Sequence, residues 1–152
     1  MAISQAVCNS FKKELLESKH DFANGGDTFK IALFTSSASL GASTEDYSTS
    51  NEITNTSGSA YSAGGLALTG QSVTGGTSAS TAYVDFSSDP QWTSASFTAN
   101  GAMIYNTTTD GGSGTTDAVC ILAFGSDFTA TNGTFTVQFP APGTSTAILR
   151  LS

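Results

Sequence analysis

The sequence predicts an all-β fold: a jelly-roll-like antiparallel β-sandwich of about eight strands behind an N-terminal α-helix. Three observations predict it. Thr, Val, Phe and Tyr, which suit a pleated and half-buried surface, recur in short runs along most of the chain. Gly, Asn, Asp and Pro pairs separate those runs at hairpin-like spacing. The 10 Phe, 4 Tyr and 1 Trp supply enough large side chains to anchor a core in a 152-residue chain.

The helix comes first. Ile3, Val7, Phe11 and Leu15 recur at every fourth position, Leu16 widens the stripe, and Lys12, Lys13, Glu14 and Glu17 lie opposite. Residues 4–19 contain no Gly or Pro, and Ser4 is placed to cap them. Residues 1–22 therefore read as an amphipathic helical arm and 23–152 as the sandwich. After the turn at Asn24-Gly25-Gly26-Asp27 the periodicity falls to two: Phe29, Ile31 and Leu33 share one face, Lys30, Ala32 and Phe34 the other. Residues 35–58 form a Ser/Thr-rich excursion with one helical turn near Tyr47, and a loop of that length is usually functional or an interface. Strands are expected at 61–69, 81–86, 94–98, 102–106, 118–124, 128–130, 134–139 and 146–151. The stretch 118–124 is apolar on both faces, as a central strand must be. No fixed-period repeat marks a solenoid.

Composition narrows the function. Charged residues make up 11% of the chain, against roughly 25% in ordinary soluble domains. The net charge is −7, and the five basic residues form no patch that would release counterions from nucleic acid or hold anionic lipid. A signal-peptide pattern and a span of membrane length are both missing, which points to folding in a cytoplasm. In that reducing setting Cys8, on the leading helix, and Cys120, in a strand, are expected as two buried thiols rather than a bridge.

Catalytic side chains are few. The single histidine, His20, stands beside Asp21 at the expected helix end, where it suits a C-terminal cap. No G-x-S-x-G elbow accompanies the many serines, and one His with two distant Cys cannot build a tetrahedral metal site. Asp85 with Asp89 and Asp110 with Asp117 flank turns without a calcium-loop pattern. The acceptor triplets at Asn55, Asn106 and Asn132 are expected by chance in so Ser/Thr-rich a chain. The expectation is no enzyme, no cofactor and no metal. Two surfaces remain as candidates. The stripe Ile3, Val7, Phe11 and Leu15 packs either on its own sandwich or, with Tyr47 of the excursion, on a partner as a contact surface. Tyr83, Trp92, Phe97 and Tyr105 read first as core and inter-sheet packing, and if exposed, Trp92 and Tyr83 above all, as a glycan-contact surface.

Taken in order, the segments resemble a family of small virion structural proteins of tailed bacteriophages. The similarity runs through Phe11-Lys12-Lys13-Glu14-Leu15-Leu16, His20-Asp21-Phe22, Asp27-Thr28-Phe29-Lys30-Ile31-Ala32-Leu33-Phe34 and Tyr61-Ser62-Ala63-Gly64-Gly65. It continues through Trp92-Thr93-Ser94-Ala95-Ser96-Phe97-Thr98-Ala99, Gly101-Ala102-Met103-Ile104-Tyr105-Asn106, Phe124-Gly125-Ser126-Asp127 and Gly133-Thr134-Phe135-Thr136-Val137-Gln138-Phe139-Pro140. Nearly the whole chain is covered. It departs at Asn100, where family members often carry a basic residue. The resemblance implies a virion part, with capsid decoration (cement) on the outer surface of the head the preferred role. Its partners would be the major capsid protein and further copies of itself in a homodimer or homotrimer. Other roles compatible with the resemblance are a tail or head-fibre component binding host-surface carbohydrate, and a tail tube or head–tail joining protein.

Overall fold

The computed structural model describes residues 2–54, 58–77, 79–108 and 116–152. Its strands are β1 (Ala6–Val7), β2 (Phe29–Phe34), β3 (Leu66–Leu68), β4 (Ser72–Gly76), β5 (Ala79–Asp85), β6 (Gln91–Asn106), β7 (Ala118–Thr136) and β8 (Leu149–Leu151), with one helix, α1 (Asn9–Leu16). The fold is all-β, as the strand patterning predicts. Five strands form one antiparallel sheet in the order β1-β7-β6-β2-β3, and three form a second in the order β4-β5-β8. This five-plus-three arrangement is not the pair of four-stranded sheets of a jelly roll. Side chains from both sheets meet in one core, where Phe29 of the large sheet contacts Phe86, which follows β5, and Phe86 contacts Phe139.

The largest departure is at the N-terminus. The expected helix over 4–19 shrinks to eight residues beginning after Cys8, whose backbone is extended and whose side chain makes no cap. Residues 2–8 join the large sheet instead. The Ser4 amide donates to the Leu40 carbonyl, the Cys8 amide donates to Val119, and Ala6 and Val7 pair with Ile121 and Cys120. Four residues span about one helical turn but also two strand repeats, so the spacing of Ile3 and Val7 satisfies either periodicity. Sheet hydrogen bonds decide between them. Gly101 makes the docking feasible, because a Cβ there would lie 2.8 Å from Ile3 Cγ2 and 2.8 Å from the Leu122 carbonyl oxygen. Residues 2–22 pack on their own domain, supplying β1 to the sheet and Cys8, Phe11 and Phe22 to the core.

The long strands absorb five of the expected shorter ones. β6 and β7 pair from Gln91↔Thr136 to Tyr105↔Ala118 with several register shifts. Between Ala99↔Phe128 and Gly101↔Ala123, residues 124–127 stand opposite Asn100 alone. Gly125 adopts φ +81° there, and the Asn100 side-chain amide donates to Asp127 at 2.8 Å. A smaller irregularity sets Thr131 and Asn132 against Ser96, with Asn132 at φ +47° and its amide donating to Ser96 Oγ. The turn residues expected at 125–127 and 132–133 therefore make bulges that bend one strand. Asn100-Gly101, also read as a turn, runs straight through β6.

Residues 35–54 of the excursion lie on the sheet rather than away from it. Phe34 bridges to Glu52, the Ile53 amide donates to the Leu33 carbonyl, and Asp46 bridges to Asp117 in extended backbone where a helical turn was expected. Gly65, at φ +74°, closes the return, because any side chain there would collide with the Ile31 carbonyl oxygen.

Candidate functional site

His20 is the natural starting point for chemistry, and its surroundings answer the question. It does not cap the helix. Its ring is buried beside Phe11, with Nε2 2.9 Å from Glu14 Oε2 and Nδ1 3.0 Å from Asn106 Nδ2. The Asn106 amide orientation follows from its other bonds: Nδ2 also donates to Asp27 Oδ2 at 2.7 Å, and Oδ1 accepts from the Thr108 amide. Nδ1 of His20 is therefore the acceptor, and Nε2–H donates to Glu14. A carboxylate–imidazole pair resembles a general base, but the nitrogen that would take a proton faces an amide that has no labile proton to give. Asp27 is likewise engaged within the chain, its Oδ2 accepting from the Asp21 amide as well as from Asn106.

A second buried acid is equally closed. Glu52 accepts from the Tyr61 hydroxyl at 2.6 Å, the Tyr47 hydroxyl at 2.7 Å and the Gly64 amide at 2.8 Å. Tyr61 in turn accepts from the Leu33 amide, and Tyr105 donates to the Gly64 carbonyl. Burial pushes the Tyr105 hydroxyl up to about 12. Burial first, and then the Glu52 bond, raise Tyr47 and Tyr61 further still. Cys8 and Cys120 are free and buried, and burial lifts their thiols to about 11 and about 12. Such thiols are poor nucleophiles.

The candidate contact residues are largely occupied within the chain. Phe11 is 4% exposed, against His20 and Phe22. Ile3, Val7 and Leu15 are half-buried against the core, and Tyr47 stacks parallel to Tyr105 at 4.3 Å. Trp92 is 3% exposed and walled by Tyr61, Phe97 and Phe135, so no indole face is free for a sugar. Tyr83, half-buried on β5, is separate from it. Asp110 and the triplet at Asn55 lie outside the described residues.

What the fold does assemble is a groove. Helix α1, the segment after it and the small sheet enclose a recess of about 610 Å³, in which Phe11 and Leu15 face Val84 and Leu149. Leu16, Val73 and Leu151 stand on it at 89%, 55% and 63% exposure. Two of its lining residues are basic, Lys12 and Arg150. Leu16 was legible as part of an apolar stripe, whereas Val73 and Leu151 sit in a Ser/Thr/Gly-rich strand and a three-residue strand whose placement only the tertiary fold sets. A second recess, of about 620 Å³, lies beside the β7 bulge and includes Phe124 and Phe128, the latter 51% exposed.

No family model, curated protein or solved structure matches this chain. Function therefore has to be argued from the sites. Among the described residues, no cluster of three or more His, Cys, Asp or Glu could hold a metal ion, and no helix is long and apolar enough to cross a membrane.

Proposed function

We propose that this chain is a structural protein of a tailed-phage virion, a decoration protein that sits on the outer surface of the head, stabilises the shell and catalyses nothing. The observation that carries the structural reading is that two buried polar clusters, around His20 and around Glu52, close on themselves. The one histidine has both ring nitrogens engaged by Glu14 and Asn106, and the Glu52 carboxylate accepts three bonds from its own chain. Groups held this way fix a core and leave no reactive atom facing solvent. The resemblance of the segments to phage virion proteins supports the placement on a particle. Buried Trp92 weighs against the carbohydrate-binding role.

With Phe11 and Tyr47 engaged internally, a shell contact must use other apolar surface. We assign it to Phe128 on the β7 bulge, which the Asn100–Asp127 bond holds in place. Capsids assembled without the protein should lose resistance to heat and osmotic shock, and adding it back should restore both. Phe128→Ser should weaken that rescue without lowering the melting temperature of the free protein. Full resistance in the protein's absence would refute the decoration role.

A further inference from the structure

We infer that the groove between α1 and the small sheet binds an aliphatic chain ending in an anionic head, such as a fatty carboxylate. The chain would lie along Phe11, Leu15, Val84 and Leu149, and the head would meet Lys12 and Arg150. Three observations point to this ligand class. The recess has the size of a small-molecule site, which typically spans roughly 300–1,000 Å³, and its walls are largely apolar side chains from β1, α1, β4, β5 and β8. Its two cations lack carboxylate partners among the described residues. Lys13 and Lys19 both pair with Glu17, whereas Lys12 and Arg150 enter no ion pair, although the chain carries 12 acidic residues. The guanidinium gives one bond to the Thr144 carbonyl and keeps its other donors. Asp21 lines the recess as well, and its Oδ1 accepts from the Ala23 amide.

Charge also decides between occupants. A neutral aliphatic ligand would leave Lys12 and Arg150 without a counter-charge. An anion meets them favourably.

Titration calorimetry of the full chain with hexanoate, octanoate and decanoate at low ionic strength tests the inference. Saturable binding at one site is expected, tightening with length towards about fourfold per buried methylene. Decanol and decylammonium should bind more weakly than decanoate. Lys12→Glu and Arg150→Glu, both at exposed positions, should each cost about fivefold for the carboxylate. They should leave decanol binding and the melting temperature unchanged. Methyl shifts on decanoate binding should fall on Leu15, Val84 and Leu149, and Phe128→Ser should have no effect. Any of three results would overturn the inference: no saturable binding by any of the acids, equal affinity for decanoate and decylammonium, or shifts centred on Phe128. The first would leave the groove as a seat for a protein partner.

Discussion

At the scale of single residues, the clearest prediction concerns Glu52. Glu52→Ala would leave the Tyr47 and Tyr61 hydroxyls and the Gly64 amide without their shared acceptor, two of these groups in buried positions. A loss of about 3 kcal/mol in unfolding free energy is expected, measurable by urea denaturation. The same cluster sets an alkaline limit. The fold favours the neutral phenols, so their contribution is complete below the ordinary tyrosine value of about 10 and is lost as pH rises through the raised values. Stability should therefore fall above about pH 10, and phenolate absorbance from Tyr105 should emerge only near 12. The buried thiols of Cys8 and Cys120 should resist a thiol reagent in the native protein and react on unfolding. The two buried thiols were legible in the sequence, whereas the Glu52 and His20 clusters were not. A lone His beside an Asp looks like a helix cap, because nothing local announces Asn106, 86 positions away, as the partner of its ring.

Among the elements, the strands were readable and their ends were not. Period-two patterning located β2 and the central strands because burial on a sheet imposes it directly. The residues read as turns at Gly125 and Asn132 do adopt positive φ, but in bulges within one strand. Yet a turn that reverses the chain and a bulge that bends it use the same residues, and pairing across β6 and β7 alone distinguishes them. The N-terminal segment shows the converse, one spacing satisfying two periodicities. Gly101→Val tests that account, because it fills the notch that seats Ile3. Destabilisation of about 1–3 kcal/mol is expected from the overpacking, with amide exchange accelerated at Ser4 and Cys8 while β2 stays protected. Unchanged exchange at those amides would contradict the proposed role of the notch.

For the whole molecule, two antiparallel sheets share one core, the surface is poor in charge, and the exposed apolar residues gather at the groove and at the β7 bulge. The sequence predicted the fold class. It did not predict the groove, because α1 and the small sheet lie far apart along the chain. Nor did it separate residues that grip a partner from residues that grip their own sheet, since both are apolar. The central claim, a decoration protein on the head, is tested most directly by counting copies in purified particles. Densitometry of virion proteins should give a copy number that scales with the major capsid protein, on heads freed of tails. A handful of copies that stay with the tails, or none at all, would contradict it.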